Sequence, residues 1–252
     1  MALSDNQSAR YARNLLVPGF GEAGQERCLY ARVLIAGLGG LGSPAAYYLA
    51  AAGVGTLGLL DFDVVDVSNL QRQILHTTDR IGTSKVDSAA LSLSALNPDL
   101  RMERIYERLT AGNAKDILSR YDLVVEASDN FAAKYIVNDA CLALRKPFTT
   151  AGVTEWGGQM MFVYPGLTAC LRCAVPEEPP APSAPFGILG AVPGIFGGIE
   201  ALEALRYLAG QWAPRPDGAA LLHTLDGTAM RFRTMPLPPR AQCPCRSVMN
   251  RT

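Results

Sequence analysis

The feature that most constrains this chain is a glycine turn set between two apolar runs. Residues 33–36, VLIA, lead into Gly37-Leu38-Gly39-Gly40-Leu41-Gly42, and residues 56–60, TLGLL, follow with Asp61 at their end. A G-x-G-x-x-G turn after a strand lets a backbone approach phosphate where any Cβ would collide. Ser43 suits the N-cap of the helix that follows and Pro44 its first position. The free amides and positive dipole end of that helix then face whatever lies over the glycines. Asp61 stands about 20 residues past the glycines, as a ribose-binding carboxylate should. Strand, turn, helix and strand in this order commit the chain to an α/β fold with a buried parallel sheet. The expected ligand is an adenosine phosphate; NAD and ATP share that adenosine, and the turn alone does not separate them.

Two uncharged stretches could pass for membrane spans. Residues 33–60 hold no charge over 28 positions, but seven of them are glycine and Pro44 follows the turn. Residues 179–199 are uncharged over 21 positions and contain five prolines and five glycines. Such punctuation spells several short elements of a buried core, not one spanning helix. Lysine plus arginine equals aspartate plus glutamate at 23 each. No global field therefore favours nucleic acid or an anionic membrane. The opening MALSDNQSAR lacks the apolar core of a secretory leader, so a cytoplasmic chain is expected.

Periodicity and punctuation predict the rest of one single domain, 1–252, divided as an N-terminal helical arm (1–30), a nucleotide-binding core (31–165) and a remainder (166–252). The arm is polar and helical from 5 to 30 and cannot be stable alone. A helix over 83–96 ends at Asn97-Pro98, with Lys85 in its first turn, where a cation is unfavourable unless an anion lies nearby. Residues 101–107 alternate charges and read as a strand near the sheet edge. Residues 122–127 form an apolar strand ending in Ser128-Asp129-Asn130, before a helix over 131–144. Asp129 there is either a ligand-facing carboxylate at a strand's carboxyl end or the N-cap of that helix. Strands over 147–153 and 158–164, a proline-rich loop over 174–186, a helix over 194–209 and a hairpin of 219–225 with 229–235 across Asp226-Gly227 complete the reading. The fold class is thus a Rossmann-like mixed sheet, mainly parallel with antiparallel C-terminal strands, and helices on both faces.

Six cysteines are present, four of them in close pairs, Cys170-x-x-Cys173 and Cys243-Pro-Cys245. Two close pairs in a chain expected to be cytoplasmic argue for metal over disulfides, and four thiolates suit tetrahedral zinc. The alternative is a degenerate site with Cys170 and Cys173 as free thiols. Cys28 and Cys141 fall in expected helices and read as packing residues.

Asn69, Arg72, Gln73, Lys85 and Asp129 together form a phosphate-handling set. Arg72 and Lys85 are cations for a polyphosphate, the amides direct hydrogen bonds, and Asp129 is able to hold a magnesium ion bridging phosphate oxygens. A dehydrogenase would want a proton donor at a strand end. His76 and His223 are the two histidines, and neither follows a strand end; His76 reads as a packing residue near the loop. Arg13, on chemistry alone, is a solvated helix charge.

These residues carry a resemblance. RYARNLLVPGFGEAGQ, VLIAGLGGLGSPAAYYLAAAGVG, LLDFDVVDVSNLQRQILH, IGTSKVDSA and ASDN are similar to segments of the adenylyltransferases that activate ubiquitin-like sulfur carrier proteins. That family includes the molybdopterin-synthase and thiazole-pathway enzymes and is related to ubiquitin-activating enzymes. The resemblance runs from about Tyr11 to Cys245 and implies ATP with magnesium over the glycine turn. Gly37, Gly39, Gly40 and Gly42 would form the cofactor-binding turn with Gly40 near the phosphates, Asp61 would take the ribose, and Ser68, Asn69, Leu70, Gln71 and Arg72 would line the triphosphate. Arg72 and Lys85 would neutralise the transferring and departing phosphates, Gln73 would orient them, Asp129 would hold magnesium, and Asn130 would line the pocket. The substrate implied is the C-terminal Gly-Gly carboxylate of a small sulfur carrier protein, attacking the α-phosphate. The proline-rich loop would cover the carrier's tail and the last strands would dock its globular part. Arg13 would reach into the site of a second subunit, which implies a homodimer. Relatives that form a thioester or persulfide carry a cysteine in the crossover loop. Here 174–192 has none, with Ser183 at the aligned position, so the expectation leans to the molybdopterin branch. No sulfurtransferase domain follows, so a separate sulfur donor protein is expected. Family members space the last cysteine pair C-x-x-C, one residue wider than here. Adenylation of another carboxylate, at a peptide C-terminus or on tRNA, and NAD-dependent oxidoreduction are the alternative functions.

Overall fold

The computed structural model describes residues 3–180 and 186–249. The arm forms three short helices, α1 (Asp5–Arg10), α2 (Ala12–Leu15) and α3 (Gly21–Tyr30). Ser4 opens the first with a capping box closed by Gln7, satisfying two otherwise orphan donors. The core then alternates β1 (Arg32–Ala36), α4 (Gly42–Ala51), β2 (Thr56–Leu60), α5 (Lys85–Leu96), β3 (Arg101–Ile105), α6 (Ala114–Ser119), β4 (Leu123–Glu126), α7 (Phe131–Leu144) and β5 (Phe148–Thr154). After it come β6 (Gly157–Val163), α8 (Leu171–Ala174), α9 (Ala191–Leu208), β7 (Ala220–Asp226), β8 (Arg231–Leu237) and α10 (Cys245–Met249).

One eight-stranded sheet runs β3-β2-β1-β4-β5-β6-β7-β8. Strands from β3 to β5 pair in parallel, and β6, β7 and β8 add antiparallel. Alternation along the central strands sends Val33, Ile35, Leu57, Leu59 and Val125 to one face under α4, α5 and α9. Leu34, Ala36, Leu60 and Val124 go to the other under α6 and α7. Each such buried valine, leucine or isoleucine contributes roughly 1.5–3 kcal/mol. β3 is the edge that its charges imply. β8 is the opposite edge; Arg231 to Pro236 are all exposed along it, and Pro238-Pro239 follow.

The arm packs on the core as its weakness requires. Tyr11 is buried against Gly53, whose positive φ and lack of Cβ make room for the ring. The amide of Asn97 donates to the Tyr11 hydroxyl at 3.1 Å, and Gln25 donates to the carbonyl of Ala52 at 2.8 Å.

Three local expectations are corrected. Ser43 is not the N-cap of α4: the helix begins at Gly42 behind Leu41, and the Ser43 hydroxyl is buried with no partner among the described residues. The tight turn continues straight into helix, so a capping side chain has no extended residue from which to act. Asn130, not Asp129, caps α7, accepting from the Ala133 N–H at 2.9 Å. α9 begins at Ala191, three residues before the expected start, with Pro193 inside its first turn where the missing N–H costs nothing. Ser183 lies outside the described residues.

Burial also isolates a carboxyl in α9. Glu200 is fully buried, accepts from the Thr149 hydroxyl at 3.0 Å, and leaves its other oxygen unpartnered among the described residues. Desolvation, and then the charge of Glu126, push its pKa up from 4.5 to about 8. An unfolded chain ionises Glu200 near its ordinary value while the folded chain still binds the proton. The stability it contributes is therefore complete below that value and falls as pH rises, by up to about 1.4 kcal/mol per pH unit, until the folded group ionises. Thermal unfolding across pH 5–8 should show the wild type losing ground to Glu200→Gln; parallel curves would contradict the assignment.

Candidate functional site

The carboxyl ends of β1, β2 and β4 meet at the glycine turn, and each of its glycines answers to a different neighbour. Gly37 has φ +104°, and a Cβ there would sit 2.7 Å from the Ala127 carbonyl; a Cβ on Gly42 would strike the carbonyl of Gly37. These two are fixed by the chain's own backbone. Gly40 lies between Pro193 of α9 and the side chain of Arg72, 3.2 and 3.5 Å from where its Cβ would be. Gly39 faces the Gln73 amide at an ordinary 3.5 Å, so nothing among the described residues forbids a side chain there.

Leu38 is held on both sides. Its N–H donates to Asp61 at 2.8 Å, and the Nε2 of His76 meets its carbonyl at 2.9 Å. Because a carbonyl only accepts, that nitrogen carries the hydrogen. The His76 Nδ1 sits 2.9 Å from the Ser88 hydroxyl, and burial lowers its pKa. His76 is thus a neutral strut of the turn.

Asp61 uses its second oxygen to accept from the Asp63 N–H at 2.9 Å, and Asp63 in turn anchors Lys85. The Lys85 N–H donates to the Asp63 carbonyl at 2.9 Å and its Nζ meets the Asp63 carboxylate at 3.0 Å. This is the anion that a buried cation in the first turn of α5 calls for. Asp63 was not singled out in the sequence, although the unpaired Lys85 pointed to some such partner.

The stretch from Ser68 to Gln73 folds over the turn. Asp66 accepts from both the N–H and hydroxyl of Ser68, which hold its carboxyl below the usual range. The Asn69 amide reaches the Ser68 hydroxyl at 3.5 Å, and Arg72 donates to the Ser68 carbonyl at 3.1 Å. Leu70 is half-buried and Gln71 exposed. Gly190, just before α9, lies flush against the Gln71 carbonyl and the Cα of Arg72. Gln73 is buried, and its side-chain carbonyl is without a partner among the described residues.

Asp129 follows Ala127 and Ser128, the backbone that touches Gly37. Its carboxylate is exposed and receives the Asn130 amide at 3.3 Å. The structure therefore brings the four glycines, Asp61, Ser68 to Gln73, Lys85, Asp129 and Asn130 to one end of the sheet. Arg13 is not among them. It is exposed on α2, two residues from Tyr11, which packs on Gly53 at the far end of α4. A helix of 10 residues separates the two ends by about 15 Å.

A match from residue 11 to residue 245 to the model of the ThiF family decides the affiliation. The chain belongs to the ThiF family. It is 41% identical over 245 residues to the protein named sulfur carrier protein ThiS adenylyltransferase of Escherichia coli K12, covering 96% of each. It is 44% identical over 240 residues to adenylyltransferase and sulfurtransferase MOCS3 of Sus scrofa, covering 94% of this chain and 52% of that one. The chain thus spans about half the length of the MOCS3 relatives. Among solved structures, that of E. coli MccB with MccA-N7isoASN superposes with a TM-score of 0.84 at 20% identity, covering 98% of this chain and 75% of that one. At that identity the likeness speaks for the fold: a ThiF-family sheet, parallel at its core and antiparallel at its C-terminal end.

This ThiF-family chain carries a second cluster, apart from the glycine turn. Cys170 and Cys173 flank the start of α8, Cys243 lies in the turn after β8, and Cys245 opens α10. All four are buried, with their sulfurs within 4.8 Å of one another. Cys170 and Cys243 stand 3.5 Å apart, and Cys173 and Cys245 3.4 Å. The thiol of Cys170 and then that of Cys245 draw Cys173 strongly toward thiolate, and the Arg240 N–H donates to it at 3.4 Å. A tetrahedral ion with metal–sulfur bonds near 2.3 Å needs sulfurs roughly 3.8 Å apart, so the arrangement fits a metal. The short Cys243-Pro-Cys245 bite still brings both of its sulfurs to those of Cys170 and Cys173. Among the described residues, no helix is long and apolar enough to cross a membrane.

Proposed function

We propose that this chain uses ATP and magnesium to adenylate the C-terminal Gly-Gly carboxylate of a small ubiquitin-like sulfur carrier protein, releasing pyrophosphate. The observation that carries the reading is the close approach of Arg72 to Gly40 and of Gln73 to Gly39. The Arg72 stem and the Gln73 amide lie against the turn over which this reading sets the phosphates, the Arg72 guanidinium is held at the Ser68 carbonyl beside it, and the relatives' names agree with that chemistry. Gly39 is bare without steric need from the described residues, which supports a phosphate lying against it.

The mechanism follows from charge. A carboxylate and a triphosphate repel, so cations must gather both before in-line attack. Asp61 takes the ribose and, through Asp63, keeps Lys85 aimed at the phosphates. Lys85 and Arg72 offset charge on the departing pyrophosphate. Asp129 and Asn130 line the metal side; an exposed carboxylate at a strand's carboxyl end suits magnesium, which takes one or two carboxylates beside phosphate oxygens. Magnesium, when bound, neutralises phosphate charge. The buried thiolates of Cys170, Cys173, Cys243 and Cys245 hold a structural zinc.

Arg13 acts on the phosphates of a second subunit, since it lies at the far end from its own turn. Exposed Leu16 and Val17 beside it, and Tyr48 and Leu202 on the packed pair α4 and α9, support a homodimer. The crossover segment 174–192 has no cysteine, which favours adenylation without transfer to the enzyme's own thiol, the molybdopterin-type branch. Sulfur then comes from a separate donor protein, and the setting is cytoplasmic. The crossover segment covers the carrier's tail, and the sheet face around Trp156 and Phe232, both exposed, receives its globular part.

Exchange of labelled pyrophosphate into ATP tests the reading. We expect exchange with a carrier ending in Gly-Gly and none when the last glycine is removed. Exchange indifferent to the tail would sink it.

A further inference from the structure

Asp129 sits in a turn that is fixed everywhere except at its own side chain. On one side, β4 ends in Glu126, which is fully buried. One Glu126 oxygen accepts from the Ser128 N–H at 2.9 Å and from the Ser128 hydroxyl. The other accepts from the Thr150 hydroxyl at 2.6 Å and pairs with the Lys134 Nζ at 2.8 Å. On the other side, Asn130 caps α7, and Lys134, one turn into that helix, is buried and also donates to the Ala151 carbonyl at 2.5 Å.

A buried ion pair is a poor way to hold a fold, because the desolvation of both charges offsets their attraction, and apolar residues of similar size pack as well. What the pair does hold is geometry. It ties the last residue of β4 to the first turn of α7, eight positions on, with Asp129 between them. The strong contacts around the turn end on neighbours of Asp129, whose exposed carboxylate takes one long bond, 3.3 Å, from the Asn130 amide.

We propose that Glu126 and Lys134 are positioning residues for Asp129: their pair sets where that carboxylate stands and so how tightly the site takes its divalent cation. This rests on the magnesium role proposed for Asp129. Partners beyond the coordinating group typically account for about tenfold or more in metal affinity.

Manganese serves as a magnetic stand-in, titrated into the full chain with a non-hydrolysable ATP analogue and read by the electron paramagnetic resonance of the free ion. Glu126→Gln keeps the volume but removes the charge opposite Lys134. It is expected to raise the manganese Kd about tenfold, with metal-free binding of the analogue unchanged. The double variant Glu126→Gln/Lys134→Met removes both charges, so its thermal midpoint should stay near the wild type while the Kd remains raised. If the single variant fails to fold, the double variant carries the test. Asp129→Asn separates the two readings. Wild-type manganese binding by Asp129→Asn would overturn the magnesium role itself. Loss there, with normal binding in both Glu126 variants, would overturn the positioning role alone. In an Asp129→Asn background Glu126→Gln should add no further loss; a full additive loss would mean that Glu126 acts elsewhere, and would equally overturn the inference.

Discussion

Asp129→Ala is expected to lower carrier-dependent pyrophosphate exchange by about a thousandfold, the upper range for removing one group that meets developing charge. The fold should not notice. Asp129 is exposed and its carboxylate receives one long bond from Asn130, whereas the helix behind it is capped by Asn130 and braced by Lys134. Thermal unfolding of the variant should lie within a degree or two of wild type, since surface changes away from caps cost within about 0.5 kcal/mol. Exchange within threefold of wild type would refute the proposed magnesium role. A large drop in thermal midpoint would instead move Asp129 from chemistry to folding.

The second large effect concerns the cysteines. Purified protein should contain about one zinc per chain, and Cys173→Ser should carry close to none. Structural zinc is worth roughly 10–16 kcal/mol in small fingers. A fraction of that, in a chain with its own core, corresponds to a fall in midpoint on the order of 10 °C. The loss should be local before it is global. The cluster joins α8 to the turn after β8 and to α10, so limited proteolysis of the metal-free protein should cut first after residue 237. Metal near zero in protein folded at wild-type stability would contradict the assignment.

Much of this arrangement was legible in the sequence because its signals are local. The glycine turn, Asp61 and the stretch from Ser68 to Gln73 are contiguous, and their spacing alone sets them at one end of a sheet. Lys85 announced a partner by standing at a helix start, though only folding brought Asp63 to it. Glu126 gave no such sign. A single acid at the end of an apolar strand reads as a boundary, and its partners Lys134 and Thr150 come from two other elements. Caps failed for a related reason: Ser43 has the right chemistry, but the turn before it is already helical, and Asn130 outcompetes Asp129 by one position. The Cys243-Pro-Cys245 spacing was ambiguous for the opposite reason, since whether a short bite closes depends on where α8 presents the other two sulfurs.

The last strand has a wider consequence. An open sheet edge is a template on which another chain's backbone adds, and so a route from a folded sheet to an aggregate. β8 carries exposed Arg231 and Arg233, loses a donor at Pro236 and runs into Pro238-Pro239. Like charges and absent N–H groups leave little for a newcomer to pair with. The sheet therefore ends itself, and a protein that binds beside this strand must lie across its side chains instead of lengthening it.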